Sequence, residues 1–108
     1  MPKTKTEGFD QETLELAAMF KAMGHPARVA ILRFLAESNA CFCGNIVDAL
    51  PLSQATVSQH LAELKQVGLI KGTIDGPRIC YCIDTEAWVR VKAHLDQFLA
   101  PFVQCMNC

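Results

Sequence analysis

A mainly α-helical fold carrying one small β-hairpin (an α+β domain) is predicted by three features of this 108-residue chain. Apolar residues recur at helical spacing over most of its length. Asp, Pro and Ser stand where helices should begin. Only one stretch, Leu69 to Ile83, is rich in β-branched residues around a Gly-Pro turn. At 51% hydrophobic, the chain supplies one modest core, whereas two domains of half this size would each be marginal.

Asp10 caps a first helix running to Met23, with Leu14, Ala17 and Phe20 at helical spacing and Gly24-His25-Pro26 as its break. Pro26 suits the first turn of a second helix, whose Val29, Ile31, Leu32 and Leu35 make it apolar nearly all round and hence central. After the polar Glu37-Ser38-Asn39, residues Ala40 to Cys43 should be extended. Gly44 to Leu50 should form a short third helix, stopped by Pro51. Ser53 caps a fourth helix to Val67, with Val57, Leu61 and Leu64 inward and Gly68 as terminator.

Leu69 to Ile74 and Ile79 to Ile83 read as strands joined by Asp75-Gly76-Pro77-Arg78, a wing. A last helix, Thr85 to Phe102, precedes a tail of two cysteines at 103–108. The predicted order is α-α-α-α-β-β-α, a winged helix-turn-helix over residues 9–102, with a disordered segment at 1–8. No apolar run approaches the ~20 residues of a bilayer span and no signal peptide is visible, so a cytoplasmic protein is expected. In that reducing compartment, six cysteines favour a metal, metalloid or redox role over a disulfide framework. Inert buried thiols are the plainer alternative.

A net charge of −1 argues mildly against nucleic-acid binding, because sequence-independent DNA affinity comes from Lys and Arg neutralising phosphates. The basic residues are unevenly placed, however: none falls between Arg33 and Lys65, while Lys65, Lys71 and Arg78 lie close together. On the fourth helix, Gln54, Thr56, Ser58, Gln59 and His60 stand away from the apolar stripe. Gln can pair with adenine, Ser and Thr hydroxyls suit phosphates or bases, and the helix start at Ser53 adds backbone donors. An ordinary polar surface helix would show the same residues.

The element order, with Gly24-His25-Pro26-Ala27-Arg28, Ile31-Leu32, Cys41-Phe42-Cys43, Ser53-Gln54 through Ser58-Gln59-His60-Leu61 and Gly68-Leu69-Ile70, resembles the ArsR/SmtB family of metal-responsive repressors over residues 10–102. The resemblance implies a homodimer that binds operator DNA and releases it when an inducer binds, with no organic cofactor and no catalysis. In a dimer, two copies of Lys65, Lys71 and Arg78 on one face would form a basic surface that the chain's net charge conceals. Phe20, Trp88, Leu95 and Phe98, on the first and last helices, exceed what so small a core needs and are expected at the dimer interface. His25 is expected to be structural and His60 to meet DNA.

Cys41 and Cys43 match the family's Cys-x-Cys at the start of the third helix, implying a thiophilic ion such as trivalent arsenic as inducer. In an extended segment, residues i and i+2 face one side ~6.5 Å apart, close enough for one soft ion to bridge but near the long limit for a disulfide. A helix starting beside Cys43 would lower its thiol pKa. Ile46 stands where the arsenic-type pattern has a third cysteine, so the third ligand is open. Cys80 and Cys82 would complete a four-cysteine cluster if the Cys41 segment pairs with their strand, or are ordinary strand residues.

Cys105 and Cys108 form a C-x-x-C that would be a redox pair, a further ligand source or an untidy terminus. With His94 they reproduce part of the family's last-helix zinc site, although Lys92 replaces its acidic ligand. A thiol redox or sulfide-responsive repressor is the alternative reading. A thiol enzyme lacks a visible Cys-His-acid constellation, and a metallochaperone would need neither wing nor polar helix.

Overall fold

The computed structural model describes residues 8–104. Helix α1 (Gln11–Met23) starts where Asp10 accepts a hydrogen bond from the Thr13 N–H at 2.8 Å, and these bonds hold the Asp10 carboxyl below its usual pKa. It ends at Gly24, where a Cβ would lie 2.9 Å from the Phe20 carbonyl oxygen, so the reversal into α2 requires glycine. Helix α2 (Pro26–Glu37) is capped by His25, whose Nδ1 accepts from the Ala27 N–H at 3.0 Å, and Pro26 needs no donor at that position. Its Ala27, Ile31 and Leu35 are buried, whereas Val29 is exposed, so the helix is central but not buried all round.

The chain then turns through Asn39 and Ala40, both in the left-handed region at φ 59° and 71°, and enters a three-residue strand β1 (Cys41–Cys43). The expected third helix is only a 3₁₀ turn, Ile46–Ala49. Gly44 sits at φ 148°, Asn45 gives no side-chain cap, and Leu50 before Pro51 is already extended. The segment is left too short for an α-helical nucleus. The observed order is therefore α-α-β-3₁₀-α-β-β-α.

Helix α3 (Gln54–Gln66) follows, its Ser53 Oγ accepting from the Thr56 N–H at 3.2 Å. Strands β2 (Ile70–Asp75) and β3 (Arg78–Ile83) form the wing hairpin. Gly76, at φ 63°, supplies the positive φ that a two-residue turn demands. Helix α4 (Thr85–Gln104) begins at Asp84, whose Oδ1 accepts from the Ala87 N–H at 3.1 Å, and runs two residues past the predicted end.

The sheet is antiparallel in the order β1-β3-β2. One buried cluster joins Ala22, Ile31, Leu35, Ile46, Val57, Leu61, Leu64, Leu69, Ile70 and Val91, so all four helices and the sheet share one core. No helix among the described residues is long and apolar enough to cross a membrane. Segment 1–7 and the tail pair Cys105 and Cys108 lie outside the described residues.

Candidate nucleic-acid interface and thiol array

The apolar stripe of α3, Val57, Leu61 and Leu64, faces the core and turns Gln54, Ser58 and Gln59 to solvent. Gln54 Nε2 donates to Ser58 Oγ at 3.1 Å, which aligns two of these side chains on one ridge. Ser53 and Thr56 are occupied locally: Ser53 Oγ donates to Thr56 Oγ1 at 2.9 Å within the helix cap.

His60 does not belong to this outward face. It is 9% exposed, and position 60 follows Val57 by three and precedes Leu64 by four, so it falls inside the apolar stripe. Its Nδ1 accepts from Arg28 Nε at 3.0 Å, and its ring lies against His25 with centroids 4.4 Å apart. Burial, then the neighbouring His25 and Arg28, push its pKa below the ordinary histidine value, so the neutral ring is the form that fits. Arg28 also donates to the Ala22 carbonyl at 3.1 Å and forms an ion pair with Glu63. Arg28, His60 and Glu63 thus tie α2 to α3. The positions of Arg28 and Glu63 give no sign of this in a linear reading.

The three basic residues do not share a face. Lys65 lies in the last turn of α3, about 16 Å along the axis from Gln54, with its ammonium against Gly72, whose Cβ position would be 3.4 Å from Lys65 Nζ. Lys71, one residue earlier on β2, points to the opposite side of the sheet by strand alternation. Arg78 is exposed at the start of β3 by the wing tip.

Strand β1 pairs with β3, setting Cys41 opposite Cys82, Phe42 opposite Tyr81 and Cys43 opposite Cys80. Phe42 turns to the core and packs edge-on against Phe34 with ring centroids 4.7 Å apart, so the period of two places all four cysteines on the other face. The Ile83 N–H donates to the Ala40 carbonyl at 2.7 Å, which puts the ladder bonds at Ala40 and Phe42 and leaves both cysteine rows at non-hydrogen-bonded positions, where side chains approach most closely. Cα separations are 4.0 and 4.1 Å, and both rows are closed as disulfides, Cys41–Cys82 and Cys43–Cys80.

The pairing of the Cys41 segment with the Cys80–Cys82 strand, one of the two alternatives, is the one observed, and two expectations are corrected. The cysteines do form disulfides, because cross-strand register brings the sulfurs together. No α-helix begins at Cys43, since the 3₁₀ turn starts three residues later. With the sulfurs so paired, no group of three or more His, Cys, Asp or Glu side chains able to hold a metal ion stands among the described residues. Cys41 and Cys43, on the edge strand, are exposed, while Cys80 and Cys82, on the central strand, are buried. Lys71 extends the first row and Thr73 the second.

On α1 and α4, Phe20, Phe98 and Phe102 form a run of edge contacts at 5.6 and 5.1 Å, and all three remain substantially exposed with Leu99 and Val103 beside them. Trp88 and Leu95, expected on that surface, instead pack against the core, and Trp88 Nε1 donates to the Leu69 carbonyl at 2.9 Å. His94 lines a groove between α1 and α4. Its suggested zinc partners, Cys105 and Cys108, lie outside the described residues.

Residues 25–71 match the family model described as bacterial regulatory protein, arsR family. The chain is 38% identical over 87 residues to the HTH-type transcriptional regulator YgaV of Escherichia coli, a match covering 81% of this chain and 88% of that protein. It is 32% identical over 85 residues to the cadmium resistance transcriptional regulatory protein CadC homolog of Staphylococcus aureus, covering 78% and 69%. Among solved structures, the transcriptional repressor BigR from Xylella fastidiosa superposes with a TM-score of 0.63 at 25% identity over 88% of this chain and 96% of that one.

Proposed function

Because the chain belongs to the ArsR/SmtB family of transcriptional regulators, we propose that it is a cytoplasmic homodimeric repressor that leaves operator DNA when its thiol array captures a trivalent arsenical or related soft metal(loid) ion. The observation that carries this reading is the gathering of Cys41, Cys43, Cys80 and Cys82 on one sheet face, at the strand that leads into the reading unit. Soft thiolates select thiophilic ions. Ile46, three residues after Cys43, shares a buried cluster with Val57 and Leu61 of α3, so a shift of β1 is transmitted to the reading helix. Gln54, Ser58 and Gln59 would meet bases, with Ser53, Thr56 and Arg78 at the backbone.

Dimerisation through the exposed Phe20, Phe98, Leu99 and Phe102 stripe sets the spacing of two reading helices, and a small rotation in each protomer then loses the operator. The ion must favour the released conformation by a coupling of ~1–3 kcal/mol. Fluorescence anisotropy of promoter DNA with reduced protein, titrated with arsenite, antimonite, lead and cadmium, tests this. Release by none of them rejects the inducer class.

One observation favours a second reading. Both rows are already joined as disulfides, which suits a repressor answering to thiol oxidation or sulfide. DNA release by oxidant with no effect of any ion selects that reading.

A further inference from the structure

Cysteines that face each other across β1 and β3 stand closer together than the two of either Cys-x-Cys along one strand. Within a row the Cα atoms are 4.0 and 4.1 Å apart and the sulfurs reach bonding distance. Along a strand, Cys41 to Cys43 and Cys80 to Cys82 span ~6.5 Å. A ligand needing two sulfurs therefore finds them without any displacement of the backbone, because both rows occupy non-hydrogen-bonded positions and the ladder runs between them. A ligand needing three must draw one sulfur from the neighbouring row and strand the fourth.

Resting on the inducer reading above, we propose that Cys41 with Cys82, and Cys43 with Cys80, are two separate two-sulfur sites, each taking one monosubstituted trivalent arsenical, R–As(OH)₂. Each row, once opened, loses two thiol protons and forms two As–S bonds while two As–OH bonds break, releasing two waters. Arsenic stays trivalent and keeps its carbon substituent. Opening a row requires two electrons, supplied by two low-molecular-weight thiols that leave as their own disulfide. The organic group has room because Cys41 and Cys43 form the exposed edge of the array. Inorganic arsenite, with three valences for sulfur, would bind once per chain.

The test uses the full chain carrying Cys105→Ser and Cys108→Ser, so that the tail pair does not contribute. The protein is reduced with a phosphine, which does not compete for arsenic, and titrated with phenylarsine oxide under native mass spectrometry. Two phenylarsenic groups per chain are expected, and one after Cys43→Ser/Cys80→Ser, which keeps one row. Cys80→Ser/Cys82→Ser keeps the same number of array thiols along β1 alone, and should need at least tenfold more probe. Cys→Ala versions of both pairs repeat the comparison where serine is poorly accommodated at buried positions, and operator binding without probe checks their fold. One group on the four-cysteine array, or equal capture by the two double variants, overturns the proposal. Two groups bound with no DNA release uphold it and reject the inducer role proposed above.

Discussion

Helix α3 is held from two sides by unlike chemistry. Toward α2 it is fastened by a polar tie in which Arg28 serves His60, Glu63 and the Ala22 carbonyl at once. Toward the sheet side it packs on apolar residues, Leu69 and Ile70 at the start of the wing and Ile46 of the 3₁₀ turn, the last only three residues beyond the disulfide-bonded Cys43. The first side is directional, and costly to disturb because a buried polar group left unpaired loses its solvation. The second tolerates small displacements. We expect α3 to turn about the first contact if the second moves.

Breaking the fixed side should have the largest effect. Arg28→Ala leaves His60 and the Ala22 carbonyl without their partner, and a loss of ~2–3 kcal/mol is expected in urea denaturation of the reduced protein. Equal stability of wild type and variant would remove the pivot. Breaking the adjustable side should act on response alone. Cys41→Ser/Cys43→Ser is expected to bind operator normally when reduced and to lose the whole ~1–3 kcal/mol coupling to a metalloid. If that variant still releases DNA at the wild-type arsenite concentration in anisotropy, the sensor is elsewhere.

The reading face should be independent of both sides. Gln59→Ala is expected to lower discrimination at one operator position by ~1 kcal/mol in competition footprinting, with the metalloid response retained. Arg78→Ala should lower affinity for all sequences and reduce the salt slope by about one.

The smallest expected effect sharpens the comparison by pH. His60 has a depressed pKa in the folded state, so the unfolded chain binds its proton first as pH falls. Its contribution is complete above the unfolded value, 6.5, and is lost as pH drops below it toward the folded value. His60→Asn keeps an acceptor near Nδ1 without titrating, so its stability should decline less than that of wild type between neutral pH and pH ~5. Parallel profiles would show that the histidine is indifferent to protonation.

Helix ends were legible because each carried its own local chemistry: Asp10, Pro26 and Ser53 were sufficient to place three starts. The third helix is not legible, because three local breakers, Gly44, Asn45 and Pro51, crowd a segment whose apolar Ile46 and Val47 suggest a helical turn. His60 was readable from its spacing to Val57 and Leu64, and was misplaced by its polarity. The β1–β3 pairing was open to inference only as one alternative, since pairing across 37 to 41 residues of chain leaves no local mark. Lys65 and Lys71 are close in sequence, but Lys65 of α3 lies against the Gly72 side of β2 and strand alternation turns Lys71 to the other side.

That alternation also binds chemistry to packing at β1. The parity that seats Phe42 against Phe34 is the one that lifts Cys41 and Cys43 to the outer face. One residue inserted between Asn39 and Cys41 leaves the strand a choice with no neutral answer. Absorbed in the turn, it preserves the array; absorbed as a slip, it drives the sulfurs into the core and the ring into water. An insertion here is therefore a phase change, and frame within the strand predicts, better than cysteine count, which similar chains gather four cysteines on one sheet face.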